Sequence, residues 1–423
     1  MNQSRWRALR ACVFLSMCGW IDGASAAQER VLTLRDALAL AAQRNPDIAA
    51  FASQSEGARQ QAALHVLRPA TTLEVQLENF AGTGAVSATR SLETTLQLSH
   101  IVELGGKARL RQQFGDAGLE QIDAAQNAKR ADILAEVARR FIHVLSDQEQ
   151  LKSTERATRL AEQARDAVQQ RIEAGAASPV FLSRAEIALA RLRIAQEHAE
   201  HELLSSRVAL SSLWGDDSAQ FSEVRGHLFD FPDIEPLATY VQRLGENPDL
   251  MKFATDARVL DAQMRLAEAQ RTPNITLNAG VRRLEGLDGQ AFVAGFALPI
   301  GSGRRAQPEL RAIKADRDHL QFSEQSRLLE LKSTLFGLYQ ETIHARTEAQ
   351  ALHGDIRPQA ERMLQTSDAG YRVGRFSLLE LADAQKQLLD IEQESIRAAA
   401  DFHTHLIEIE RLTGAAVHAL ADR

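Results

Sequence analysis

Two kinds of apolar spacing alternate along the chain, and each gives way to the other at a proline or a glycine. From about Asp47 to Arg68 apolar residues recur at helical spacing, and the run stops at Pro69, whose ring cannot extend a helix interior. Period two follows. Leu73, Val75 and Leu77 stand among Glu74, Gln76 and Glu78; beyond Gly82 and Gly84, Leu92, Leu96 and Leu98 stand among Glu93, Thr95 and Gln97. The same order returns later. Ile275, Leu277, Ala279 and Val281 alternate with Thr276 and Asn278, a Gly286/Gly289 turn intervenes, and Phe292, Ala294, Phe296 and Leu298 share a face. The pattern predicts strand pairs over 71–80 and 91–99, and again over 274–283 and 290–298.

Each predicted strand has about the ten residues that a tilted strand needs to cross a bilayer. Four strands cannot close a barrel, and hydrocarbon does not tolerate an open sheet edge. On this reading several chains must share one barrel, and three would supply about twelve strands. The alternation by itself also fits two ordinary hairpins on a soluble protein.

Long helices follow each strand pair. No proline interrupts the chain from Lys107 to about Ala174, where Ile133, Val137, Phe141 and Val144 form an apolar stripe. At 1.5 Å per residue such a helix is on the order of 100 Å long. The second copy is expected from about Pro308 to Tyr371, with a kink at Pro358. Each long helix turns at a glycine and returns as a shorter one, Pro179 to about Ser212 and Ser377 to about Thr413. Helices of this length beside returning partners imply coiled-coil packing.

The recurrence extends to residues. Asn45-Pro46-Asp47-Ile48 with Phe51-Ala52 returns as Asn247-Pro248-Asp249-Leu250 with Phe253-Ala254. Arg171-Ile-Glu-Ala-Gly175-Ala-Ala-Ser178 returns as Arg372-Val-Gly374-Arg-Phe-Ser377, and Leu213-Trp214-Gly215 as Leu412-Thr413-Gly414. Two structural repeats are therefore expected, 27–215 and 237–414, with tips near 174–178 and 373–377. A connector over 216–236 joins them, and 415–423 forms a C-terminal tail.

Composition agrees with long helices: aromatic residues make up 5% of the chain. The formal net charge is -7 and no basic block stands out, so nucleic-acid binding has no electrostatic footprint. Arg5, Arg7 and Arg10, the apolar run Cys12 to Ile21 and the small residues Ala24-Ser25-Ala26 read as an export signal over 1–26. Both cysteines, Cys12 and Cys18, fall inside it, so the mature chain is expected to hold no disulfide. No later segment has the length and apolarity of a helical span.

Candidate chemistry is sparse. No P-loop, dinucleotide-binding glycine turn, Gly-x-Ser-x-Gly elbow or His-Glu-x-x-His occurs. Among twelve histidines, His198 and His201 share a helix face beside Glu197, Glu200 and Glu202, whereas His403 and His405 point to different faces. A solvated helix surface explains the first cluster equally well. Lys107, Arg109, Arg304 and Arg305 follow the descending strands, where they suit lipid headgroups or a solvated helix start. Trp214 is expected to pack near a helix end.

A helix, a strand pair, a long helix, a glycine turn and a returning helix, duplicated behind an export signal, resemble the TolC family of outer-membrane efflux proteins over essentially the whole mature chain. Glu103-Leu104-Gly105-Gly106-Lys107 with Arg109 and Arg111 is similar to the signature of the CzcC-like heavy-metal branch; Leu298-Pro299-Ile300-Gly301-Ser302-Gly303-Arg304 follows that pattern only in part. The resemblance implies a mainly α fold with a small β part: a homotrimer with a shared 12-stranded outer-membrane β-barrel and a coiled-coil tunnel through the periplasm. It implies a passive duct without catalysis or cofactor, served by an inner-membrane RND pump and a periplasmic adaptor.

The resemblance also assigns residues. Gly175, Ala176, Ala177 and Ser178 would form one adaptor-contacting tip, and Gly374, Arg375, Phe376 and Ser377 the other. Glu380 and Asp383 would stand near the pore constriction, where three symmetric pairs favour cations. The residues themselves also fit a plainer role, since Ser377 is a good N-cap and acids in a first turn complement the helix dipole. Divalent heavy-metal cations are the expected cargo. Two alternatives share many of these features: a duct for drugs or secreted protein, and a periplasmic coiled-coil scaffold or adaptor with no pore.

Overall fold

A computed structural model of the protein describes residues 31–414. The expected export signal, with Cys12 and Cys18, and the tail 415–423 lie outside the described residues. The chain begins with a short strand β1 (Val31–Thr33) and helices α1 (Leu34–Arg44) and α2 (Pro46–Val66). The hairpin β2 (Thr72–Glu78) and β3 (Glu93–Val102) follows, then the long helix α3 (Lys107–Glu173) and its returning partner α4 (Pro179–Ser211). A connector carrying β4 (Glu223–Arg225) and α5 (Leu237–Arg243) leads to α6 (Pro248–Ala269), β5 (Ile275–Leu284) and β6 (Gly289–Ala297). The descending helices α7 (Ser302–Gln350) and α8 (Arg357–Arg372) and the returning α9 (Leu378–Leu412) complete it.

Four strands form one antiparallel sheet in the order β2-β3-β5-β6. The 67 residues of α3 span about 100 Å. Below the sheet, α3 packs against α4 on one side and α9 on the other, and α9 packs against α7. The helices thus form a layer in the order α4-α3-α9-α7. The stripe foreseen on α3 is buried at all four positions, Ile133, Val137, Phe141 and Val144.

The recurring motifs meet one another in space. Asn45 caps α2 by accepting from the backbone N–H groups of Asp47 and Ile48, while its Nδ2 donates to Leu213 O at 2.7 Å. Asn247 caps α6 from Asp249 and Leu250 in the same way and donates to Leu412 O at 2.8 Å. Each Asn-Pro-Asp start is therefore tied to the end of the returning helix of its own half.

Two features differ from the sequence reading. The connector is not a plain linker: β4 pairs in parallel with β1 and lies against α3, where Gln148 exchanges hydrogen bonds with both Val224 N and Val224 O. Three-residue strands carry too little periodicity to be read from sequence. The second long helix starts at Ser302 instead of Pro308. Pro308 is exposed there, so water can satisfy the carbonyl that a missing N–H leaves free. At Pro358, where the sequence places a kink, a π-helical segment over Ala351–Ile356 interrupts the helix and widens the turn where the proline ring would meet a carbonyl four residues back.

Candidate functional site

The sheet divides its side chains by chemistry. Strand register aligns Val75, Leu96, Val281 and Phe292 in one cross-strand row, and Leu73, Leu98, Ala279 and Ala294 in the next. Leu277 and Phe296 extend the same face. These large apolar side chains are bare: Phe292 is 93% exposed, Phe296 76% and Leu73 66%. On β2, β3 and β5 the opposite face is mostly polar. Gln97 donates to Glu74 at 2.9 Å, and Arg282 bridges Glu78 at 2.9 Å and Glu93 at 2.7 Å while donating to Thr95 Oγ1. An apolar face beside a hydrogen-bonded polar face is the division that lipid on one side and water on the other would select. Among the described residues, β2 and β6 each pair on one side only, so both sheet edges are open.

The junction between sheet and helices is built from the Glu103–Arg111 motif. Both guanidinium ends of Arg111 donate to the Glu103 carboxylate at 2.7 Å, which holds that carboxyl below its usual range. Lys107 is buried, and its ammonium donates to Thr272 O at 2.7 Å and Asn274 Oδ1 at 2.5 Å, fastening α3 to the loop before β5. It is therefore not free to reach lipid headgroups, as its place after a strand suggested; Arg109, Arg304 and Arg305 are exposed. Trp214 is buried at the end of α4, as expected, with its indole donating to Asp216 at 2.8 Å.

At the far end the two glycine turns share one geometry. Gly175 has φ +70° and Gly374 φ +78°, a region that a side chain disfavours. Ala176 N donates to Arg171 O and Gly175 N to Ile172 O; Arg375 N donates to Gly370 O and Gly374 N to Tyr371 O. Both are Schellman closures of a helix C-terminus. This register matches Arg171 with Gly370, not with Arg372 as the motif comparison had it. Ser178 caps α4 and Ser377 caps α9.

Sequence reading missed three residues here. Arg171 donates to Tyr371 O at 2.9 Å and lies 4.9 Å over its ring, linking the two turns. A side chain on Gly370 would collide with the Phe376 ring, whose Cδ2 stands 2.0 Å from the position a Cβ would take. The Arg171 contact joins segments two hundred residues apart that only the fold brings together, and the Phe376 contact lies within one turn whose closure the spacing does not show.

Glu380 and Asp383 are exposed near the start of α9. Glu380 closes a capping box: its carboxylate accepts from Ser377 N at 2.6 Å, and Glu380 N donates to Ser377 Oγ at 3.3 Å. That backbone bond lowers the Glu380 pKa and keeps it ionised. Asp383 accepts from Gln387 at 2.9 Å. His198 and His201 lie on the exposed surface of α4, with His201 3.8 Å from Glu197. Among the described residues no group of three or more His, Cys, Asp or Glu side chains is placed to hold a metal ion, and no helix is long and apolar enough to cross a membrane.

Comparison with known proteins gives this architecture a family. The model of the family described as "Outer membrane efflux protein" matches twice, over residues 37–216 and 239–415. The cobalt-zinc-cadmium resistance protein CzcC of Cupriavidus metallidurans is 28% identical over 389 residues, covering 90% of each chain. The toluene efflux pump outer membrane protein TtgC of Pseudomonas putida is 22% identical over 75% of this chain and 68% of its own. Among solved structures, CusC superposes with a TM-score of 0.74 at 18% identity over 90% of this chain and 92% of its own. VceC of Vibrio cholerae gives 0.71 at 18% identity over 91% and 97%. The strand pairs, the paired coiled-coil hairpins and the doubled match lead to one conclusion: the chain belongs to the outer membrane efflux protein family and is an efflux channel component of the outer membrane.

Proposed function

We propose that three copies of this chain pool their sheets into one 12-stranded barrel and conduct divalent heavy-metal cations outward. In this reading an inner-membrane RND pump supplies the energy and a periplasmic adaptor joins pump to channel. The observation that carries the reading is the four-stranded sheet with a bare apolar face, a polar face and two open edges. Such a sheet cannot stand alone in hydrocarbon, so identical neighbours must complete it. The chain itself is then two copies of one unit, 27–215 and 237–414; the doubled family match and the paired Asn45 and Asn247 caps support this.

The turns at Gly175–Ser178 and Gly374–Ser377 are the proposed adaptor contact. Val373 and Phe376 beside them are exposed, offering an apolar end to a helical partner. Glu380 and Asp383, repeated three times about an axis, would present six carboxylates to a cation near the tip. The likeness to the cobalt-zinc-cadmium resistance protein over nine-tenths of both chains favours metal cargo. A second reading, export of apolar small molecules, draws on the toluene and antibiotic efflux relatives at 22% identity.

Gene deletion decides between the cargoes. Growth of the deletion strain in zinc, cobalt, cadmium, copper and silver is compared with growth in hydrophobic drugs, each with complementation. Sensitivity confined to metals is expected; sensitivity confined to drugs overturns the metal reading.

A further inference from the structure

Each strand of the antiparallel sheet has an exposed arginine just beyond its helix-side end. Arg68 lies four residues before β2, and Arg271 four residues before β5. Arg109 lies seven residues after β3, and Arg304 seven residues after β6, with Arg305 beside it. The two halves of the chain thus repeat the placement to the residue. Among the described residues none of these five stands in an ion pair. Glu103, the acid at this level, already accepts both guanidinium ends of Arg111. Exposed acids on the adjoining helices begin farther away: Glu268 and Glu309 stand about one turn beyond the arginines.

The other end of the sheet is built differently. There Arg282 is bound to Glu78 and Glu93, and Arg283 to Glu285 and Asp288, so acid and base neutralise each other within the protein. Among the described residues one exposed arginine, Arg90, stands at that end against five at the helical end.

The apolar face of the sheet runs straight into the arginine row. The alternation Phe292, Phe296, Leu298 continues past the end of β6 to Ile300, which is 96% exposed. On the β2 side Val75 and Leu73 are in phase with Leu67, 66% exposed, which immediately precedes Arg68. Bare apolar side chains that end at arginines suit the boundary between hydrocarbon and headgroups, where the stem lies along acyl chains and the guanidinium reaches phosphate. A solvated surface would account for the arginines but not for Ile300 and Leu67 next to them in the chain. A protein partner would not call for the same cation beneath every strand.

We propose that this row binds anionic phospholipids in the leaflet nearer the helices, their phosphates meeting Arg68, Arg109, Arg271, Arg304 and Arg305. Guanidinium pairs with phosphate in a bidentate fork, and a net negative headgroup adds an attraction that a zwitterionic one lacks. The inference rests on the reading that the bare sheet face meets lipid, and it adds the headgroup chemistry at one boundary.

The test uses the protein purified from outer membranes, in detergent micelles mixed with phosphatidylglycerol or with phosphatidylcholine. Native mass measurement counts the lipid retained. Phosphatidylglycerol is expected to be retained severalfold more than phosphatidylcholine, and excess inorganic phosphate should not displace it. Arg68→Gln, Arg271→Gln, Arg304→Gln and Arg305→Gln combined should abolish the preference. Lysine at the same four positions keeps the charge and should preserve most of it, and Arg90→Gln should leave it unchanged. Equal retention of the two lipids, or an undiminished preference in the glutamine variant, overturns the proposal. So does a loss as large in the lysine variant or in Arg90→Gln, and so does full displacement by phosphate, which would mark a site for free anions. Each of these failures leaves the lipid-facing sheet standing; a protein that retains neither lipid and stays in solution without detergent overturns both.

Discussion

Gly370 leaves the Phe376 ring a place to lie, and that contact folds the second tip onto its own helix. Gly370→Val should expel the ring at a cost of about 1–3 kcal/mol, as overpacking does. Hydrogen exchange should rise over 365–380 and stay unchanged in the sheet; unchanged exchange at the tip would refute the contact. Gly374→Val strains a positive φ beside the Arg171 guanidinium, which stands 3.6 Å from the position a Cβ would take, so it should weaken adaptor cross-linking while membrane insertion proceeds normally. A third residue-scale effect is titration. His403 is buried between Phe402 and Phe231 and donates from Nε2 to Leu228 O, and burial pushes its pKa down to about 4. The native state keeps it neutral where an unfolded chain, with the ordinary value of 6.5, would bind a proton. Its contribution is therefore complete above pH 6.5 and is lost as pH falls towards 4, by about 3 kcal/mol over the whole interval. Thermal midpoints in detergent should drop between pH 7 and pH 5, and His403→Gln should flatten that slope.

At the scale of elements, the strands are amphipathic and the helices coiled-coil, and each can be tested by face. Lysine at the bilayer midplane on a lipid-facing strand position costs about 2–4 kcal/mol, while the water-facing side tolerates charge. Val75→Lys or Phe292→Lys should therefore reduce the protein recovered from outer membranes, and Gln97→Lys should not. Equal recovery of all three would mean that the apolar face does not meet lipid. The helices owe their length to uninterrupted periodicity, and the exposed site of Pro308 and the π segment before Pro358 show how each proline is accommodated.

For the whole molecule, the proposed cation path turns on where Glu380 and Asp383 would stand in a ring of three chains. Glu380 serves the helix as a capping partner, so removing its side chain would confuse stability with conduction. Glutamine at this position keeps the capping box and removes the charge. The double variant Glu380→Gln with Asp383→Asn should lower cation preference in bilayer recordings by severalfold while the thermal midpoint holds. Identical ion selectivity would remove both residues from the constriction.

The strand pairs with their apolar faces, the glycine turns and the long helices between them were legible in the sequence, because each depends on spacing within a segment. Period two in Leu73, Val75 and Leu77 and the stripe from Ile133 to Val144 state which side is apolar without any knowledge of neighbours. Contacts between segments were not legible. The burial of Lys107 under Thr272 and Asn274, the Arg171 link to Tyr371 and the pairing of β1 with β4 each join residues whose proximity the fold creates. A local pattern fixes the direction of a side chain relative to its own backbone, and only the packed chain determines what lies in that direction.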